Sequence, residues 1–411
     1  MLKHLVSVSE AIDLLAKALS ETIALDTEEV GLLEATGRII AHNIVAPEDR
    51  PLEDSSAVDG YAVRSIDTTG ASHYNPVMLR NLGVLRPGGS SREFCVEPGT
   101  TVRVHTGAPI PCGSDAVLMD EDVGVEGGII YVYRAAAKGL NVIYRGEDFR
   151  AGEVLGERGF IANPPLLAAL ASVGLSRVRV YRRIKVSLLS IGDELVEPGT
   201  VRARGKSYNS TTYILYSLLE RDSIFSIRYA GILPDNPAVV RDAILREVSG
   251  GADIVITTGG TGVSEADVVG DVADRSEKIV FRGVKLRPGR PTSCFILGGR
   301  VVLSLSGFPV AAWTGYEVIF RRSITKWLGL KGFDRRYIYA VLARRVPNTV
   351  GYTSVIRVSI RDVNGEVYAE PYMLRGSGVI SSLLKTNGYI LIPEELEGFE
   401  KNSVVRVYLY E

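Results

Sequence analysis

The 411-residue chain contains no glutamine, and only four histidines, three cysteines and two tryptophans. Each scarcity excludes something. His4, His42, His73 and His105 are scattered with no HExxH or other paired spacing, so no histidine-based zinc centre is expected. Cys95, Cys112 and Cys294 are odd in number and far apart along the chain, which predicts neither a disulfide framework nor a CxxC metal knuckle. A net charge of −1 provides no global basic field for nucleic acid or an anionic membrane. Aromatic residues, at 8%, are not interleaved with basic runs, which argues against single-strand nucleic-acid binding. No apolar run is long enough to span a bilayer and no signal-like segment opens the chain, so a cytoplasmic protein is expected. There is no GxSxG, and no serine or cysteine has a histidine placed to activate it, so no nucleophilic triad is expected. The missing glutamine, set against plentiful arginine and glutamate, suits a hot environment, where amides degrade and ion pairs gain value.

What is present divides the chain into textures. Ser7 and Glu10 have capping-box spacing before the helical "AIDLLAKAL". "VGLLEATGRIIAHNIVA" is expected to form a second helix ending at Pro47, followed by an extended connector. From Val77 to Arg134, short alternating runs separated by "RPGGSS", "EPGT" and "VEGG" predict a small all-β domain. "NPPLLAALASVGL" predicts a helix with prolines in its first turn. Beyond it, strand patterns ("IKVSLLSIG", "IFSIRYAGIL", "ADIVITT", "RVVLSLSG") alternate with helical ones, the last being the long "PVAAWTGYEVIFRRSITKWL". That alternation predicts a doubly wound parallel sheet covered on both faces. From about Arg336 the pattern returns to strands, with Asn364-Gly365 as a two-residue hairpin signal. The resulting expectation is a multidomain α/β plus β chain. A helical and extended domain would occupy 1–48 and 136–177, an inserted small β domain 49–135, a central α/β domain 178–333 and a C-terminal β-barrel 334–411.

In a doubly wound sheet, ligands bind beyond the carboxyl ends of the strands. The four predicted strands deliver Asp193-Glu194, Asp235, the loop Gly259-Gly260-Thr261-Gly262 with Ser264 and Asp267, and Ser306-Gly307-Phe308-Pro309 to that edge. The glycine loop matches neither GxGxxG nor a Walker A, and Gly205-Lys206-Ser207 has no strand leading into it. Adjacent glycines before a helix start can still aim N–H groups at an oxyanion, although a plain tight turn has the same residues. Asp193, Glu194, Asp235 and Asp267 have the chemistry to hold Mg²⁺, while each alone could simply cap a helix. Lys285, Arg287 and Arg290 surround a Pro-Gly turn and suit phosphate by charge and geometry. Asp59-Gly60 can be read as a hairpin turn.

The stretches "SSAVDGYAVR" (55–64), "RVHTGAPIPCGSDAVLMDED" (103–122), "RGEDFRAGEVL" (145–155), "SIGDELVEPG" (190–199), "GILPDNP" (231–237), "TTGGTGVSEAD" (257–267) and "KLRPGRPT" (285–292) follow one another along the chain. In this order they resemble the MoeA-type molybdopterin molybdenumtransferases, a family that includes the E domain of gephyrin. The resemblance implies an elongated homodimer. It also implies Mg²⁺-dependent insertion of molybdate or tungstate into adenylylated molybdopterin, with release of AMP. It places functional residues at Asp59, Thr106, Asp148, Glu194, Asp235 and Asp267, with Asp193 in the same turn as Glu194. Arg287 stands where lysine is usual, and Ser377 in "LRGSGVISS" resembles the hydroxyl of the last domain. Thr261-Gly262 departs from the family pattern and is similar to the related molybdopterin adenylyltransferase, itself a possible partner. Tyr352 replaces an arginine, leaving Arg357 and Arg375 for anion recognition. Adenylyltransferase chemistry on the same fold and a gephyrin-like scaffold stand as alternatives.

Overall fold

A computed structural model describes residues 5–261, 267–372 and 376–410. The chain forms two compact units, Met1–His42, Arg158–Pro164 and Arg177–Glu411 in one, Asn43–Glu157 and Pro165–Ser176 in the other.

The larger unit is organised by a six-stranded sheet in the order Phe225–Leu233, Ile184–Ile191, Ile254–Gly259, Arg300–Leu305, Ser293–Leu297, Lys278–Arg282. The first four strands are parallel, and the last two add an antiparallel edge. That edge was not expected from the sequence, where "KIVFR" and "SCFIL" are masked by the basic turn between them. Successive side chains point to opposite faces. Ile184, Val186, Leu188, Ile254, Ile256, Leu303 and Leu305 therefore pack on one face with helix Thr211–Arg221. Leu189, Ile191, Val255 and Val302 pack on the other with helices Pro237–Ser249 and Val268–Asp274. Both faces are covered, as the near-continuous apolar runs require. Strand Ile184–Ile191 lies between its two successors, so the chain leaves it in opposite directions and creates a switch point there.

The expected long helix runs from Pro309 to Leu328 but holds a π turn at Tyr316–Phe320. Helix Val8–Thr22, whose Ser7 cap accepts from Glu10 N–H at 3.1 Å, packs on its last turns through Lys326–Asp13 and Ser323–Ile12 contacts. The expected second helix does not form. Thr27–Gly31 is a strand paired with Arg177–Tyr181, followed by a short 3-10 turn at Leu33–Ala35. Gly37, at φ +73°, and β-branched Ile39 and Ile40 disfavour a continued helix there.

After Arg336, strands Tyr337–Leu342, Thr353–Val363, Glu366–Pro371, Gly388–Ile392 and Val404–Leu409 form a second six-stranded sheet with Leu286–Arg287. Thr353–Val363 pairs with Gly388–Ile392 as well as with its hairpin partner, which closes the sheet on itself. Asn364 and Gly365 turn that hairpin at φ 56° and 84°. The core inside includes Leu342, Val358, Ile390 and Val407.

Sheet and barrel are tied by buried charges. Glu317, 3% exposed, accepts from Arg335 Nε at 2.9 Å and from Arg221 Nη2 at 3.2 Å. Asp222 accepts from the Tyr316 hydroxyl at 2.6 Å and faces Arg321 at 3.3 Å. Burial pushes the Glu317 carboxyl up to about 7, against the pull of Arg321 and Arg221. Arg221 also donates to the carbonyl of Tyr410, directly after the last strand, at 2.8 Å, and Trp313 packs edge-on to Tyr389 and Tyr410.

The smaller unit holds a six-stranded sheet in the order Ala116–Met119, Gly60–Val63, Thr100–Val104, Val77–Leu85, Ile129–Val132, Val123–Glu126. Gly60 opens strand Gly60–Val63 rather than turning a hairpin, and a Cβ there would sit 1.9 Å from the Leu118 carbonyl oxygen. Helix Pro164–Ser172 starts on its prolines as expected.

Glu317→Ala leaves buried arginines without their counter-charge, and a loss of about 3–5 kcal/mol is expected. Thermal melts of the purified variant check this; a loss below about 1 kcal/mol would show the network to be replaceable.

Candidate functional site

The strand ends at the switch point are brought together by glycine. Gly259 has φ +84°, and a Cβ on it would fall 2.2 Å from the Ile191 carbonyl oxygen. A Cβ on Gly307 would fall 3.2 Å from the Gly259 Cα. Three backbones thus converge where side chains cannot, leaving main-chain groups as the lining. Beneath them lies a polar network. Asn209 Nδ2 donates to Ser190 Oγ at 3.0 Å and to the Tyr229 hydroxyl at 2.9 Å, and Tyr229 donates to Glu197. Thr211 Oγ1 donates to the Gly307 carbonyl at 2.6 Å, anchoring that loop to a helix start.

These strand ends open into a cavity of about 1260 Å³ shared with the barrel. That exceeds the roughly 300–1,000 Å³ of an ordinary small-molecule site. Among the described residues its charged lining is Glu194, Arg287, Arg290 and Arg357, three cations against one anion. Gly259, Gly260 and Thr261 line it at the strand ends, and Ser377 from the barrel side. The Ser377 carbonyl accepts from Val310 N–H at 3.0 Å, pinning the barrel segment to the helix that follows the Ser306–Pro309 turn. Arg357 is 6% exposed, and burial pulls its pKa below the ordinary guanidinium range.

Arg287 is held by means the sequence did not announce. Its strand Leu286–Arg287 pairs in parallel with Thr353–Ser354. Its guanidinium lies 3.9 Å from the centre of the Tyr352 ring, and Nη1 donates to Thr349 Oγ1 at 2.9 Å. Two positions read as departures from the family pattern, Tyr352 and Arg287, thus stack on one another. A planar guanidinium fixed on one face can present donors to a phosphate or other oxyanion.

The remaining expected residues are distributed differently. Asp193 and Asp235 exchange caps, Asp193 N–H to Asp235 Oδ2 at 3.0 Å and Asp235 N–H to Asp193 Oδ1 at 3.3 Å. Asp267 caps helix Val268–Asp274 by accepting from Gly270 N–H at 2.8 Å, and burial raises its pKa. Lys285 faces Glu394 at 3.8 Å rather than the cavity. Among the described residues no group of three or more His, Cys, Asp or Glu side chains is placed to hold a metal ion, while Asp193, Asp235 and Asp267 each accept a backbone amide and keep further lone pairs. Gly262, Ser264 and Arg375 lie outside the described residues.

In the smaller unit, Asp59 accepts from Thr106 N–H at 2.6 Å and from Thr106 Oγ1 at 2.9 Å, with His105 Nδ1 3.7 Å away. The Thr106 backbone hydrogen bond is the main reason its carboxyl lies below the usual range. Asp148 forms an ion pair with Arg50 at 2.9 Å.

The strand-end cradle and three arginines share one lining, a donor set whose charge suits an anion. The comparisons agree in kind. The chain matches the MoeA N-terminal region (domain I and II) over residues 6–174 and the MoeA C-terminal region (domain IV) over 339–410. Between them, residues 187–326 match a domain described as "Probable molybdopterin binding domain". The molybdopterin molybdenumtransferase of Haemophilus influenzae is 33% identical, with 93% of each chain covered. That of Staphylococcus epidermidis is 30% identical over 99% of this chain and 96% of its own. A crystal structure described as a molybdopterin biosynthesis moeA protein from Pyrococcus horikoshii OT3 superposes with a TM-score of 0.84. It shares 32% identity and covers 99% of this chain and 100% of that one. The chain belongs to the MoeA family and is an enzyme of molybdenum cofactor biosynthesis.

Two measurements test the geometry. Pyrophosphate binding, followed by calorimetry, should weaken about two- to fivefold in Tyr352→Leu, because the stacked ring is lost. It should hold in Tyr352→Phe, which keeps a ring face. Asp59, with its lowered carboxyl pKa, stabilises the fold at neutral pH and loses that contribution as pH falls through the lowered value. Melting temperature followed from about pH 7 to about pH 2 should therefore fall less steeply in Asp59→Asn than in the parent.

Proposed function

We propose that the cavity binds adenylylated molybdopterin and that the enzyme inserts molybdate or tungstate into its dithiolene, releasing AMP. The observation that carries this reading is the convergence of Arg287, Arg290 and Arg357 on one large cavity floored by Gly259 and Gly260. A dinucleotide-sized pterin needs that volume, and its diphosphate needs those cations. Breaking the P–O–P bond places negative charge on the leaving AMP phosphate, which fixed guanidinium groups stabilise as it develops. Backbone N–H groups of the cradle and the Ser377 hydroxyl supply donors of the kind a tetrahedral oxyanion requires. Molybdate and tungstate are substrates in this scheme, and both are tetrahedral dianions. No step is routed through Mg²⁺, which commonly binds through one or two carboxylates together with substrate phosphates.

In the same reading the protein is a homodimer, and Asp59, Thr106 and Asp148 serve the same reaction. Its supply comes from a molybdopterin adenylyltransferase. The decisive assay mixes enzyme, adenylylated molybdopterin and oxyanion. AMP release should depend on molybdate or tungstate, and Arg287→Ala should lower kcat/KM by about tenfold to a hundredfold. Oxyanion-independent release would sink the transferase reading. Pyrophosphate release from ATP with unmodified molybdopterin would establish adenylyltransferase chemistry instead.

A further inference from the structure

Cys95 and Cys112 are far apart in sequence, yet they lie directly opposite each other across a parallel β-bridge in the smaller unit. The register of that bridge is fixed on both sides. Val96 N–H donates to the Cys112 carbonyl at 2.6 Å, and Cys112 N–H donates to the Ser91 carbonyl at 2.8 Å. Gly113 adds a steric lock, because a Cβ on it would fall 2.3 Å from the Val96 carbonyl oxygen. Residues paired across neighbouring strands point to the same face. Both thiols are exposed, whereas Cys294 is buried at 0%. The fold therefore presents two accessible thiols side by side and keeps the third out of reach.

We propose that Cys95 and Cys112 form a reversible intrachain disulfide on meeting a small disulfide such as glutathione disulfide. One thiolate attacks a glutathione sulfur, forming a mixed disulfide and releasing one glutathione thiolate. The second cysteine thiolate then attacks the protein sulfur of that mixed disulfide and displaces the other glutathione. The two cysteines lose two electrons and two protons, and glutathione disulfide is reduced to two thiols. The bond staples the segment that starts from His105 and Thr106 and contains Cys112, fixing the loop that caps Asp59. A hydrogen bond with Cys112 raises the Cys95 pKa, so exchange through the thiolate speeds up as pH rises.

The test uses the full-length native protein. Before oxidation, two thiols should react with Ellman's reagent in the folded state and the third, Cys294, only after denaturation. After equilibration with glutathione disulfide, the reactive count in the folded state should fall from two to zero. The intact mass should fall by two hydrogens, and a proteolytic map should link the Cys95 and Cys112 peptides. Dithiothreitol should restore both thiols. Cys95→Ser and Cys112→Ser should each retain one reactive thiol that takes up a single glutathionyl group. Two glutathionyl adducts on the parent protein, two thiols still open to alkylation, or a disulfide-linked dimer would each overturn the proposal. The outcome does not depend on the transferase reading, since no activity is measured.

Discussion

The pocket exists because the sheet and the barrel are held in one arrangement, and the buried charges around Glu317 and Asp222 are what hold them. Arg221 connects the end of a sheet-covering helix both to Glu317 and to the Tyr410 carbonyl just past the last barrel strand. Arg335 arrives from the segment leading into the barrel and closes on the same carboxylate. A hydrophobic contact of similar area would allow sliding, because it has no direction. Charge-assisted hydrogen bonds fix angles, and here they set how the barrel's Arg357 and Ser377 face the strand ends. The desolvation of these groups is unfavourable by itself, so their value lies in geometry more than in net stability.

Within that frame, the site is made largely of backbone. Glycine at 259 and 307 lets three strand ends approach until main-chain groups form the surface. Such a surface has fixed dipoles and little side-chain entropy to lose when an anion arrives. The arginines then supply charge, and the Tyr352 ring restrains the one closest to the barrel edge. Asp193, Asp235 and Asp267 stabilise loops and a helix start, which leaves Glu194 as the carboxylate lining the cavity.

Much of this was legible in the sequence, for physical reasons. Apolar runs such as "IKVSLLSI" read as buried strands because both their faces are covered, and the alternation with helices revealed the parallel sheet. The filter of looking only past strand ends found Glu194 and the Gly259-Gly260 cradle. What escaped depended on distance in three dimensions. The helix expected over residues 30–46 failed because the strand Thr27–Gly31 finds its partner some 150 residues later, at Arg177–Tyr181. Asp59-Gly60 looked like a turn, yet the close approach of Leu118 makes it a strand start. The amide partners of Asp193, Asp235 and Asp267 depend on loop geometry and had no signature in the residue types alone. Tyr352 and Thr349 had no local signature as partners of Arg287, and Cys95 and Cys112 had none as neighbours.

The π turn at Tyr316–Phe320 has a consequence for how this chain can vary. A π turn holds one residue more than the regular helix needs, and that residue rotates everything after it by about 100°. Here it contains Glu317 and ends directly before Arg321, two members of the same buried network. Deleting a single residue in this stretch would restore an ideal helix and improve its local hydrogen bonding. It would also swing Arg321 away from Asp222 and turn the contact face with helix Val8–Thr22 out of register. The locally better helix would therefore be the globally worse one, and chain length is under tighter constraint here than residue identity.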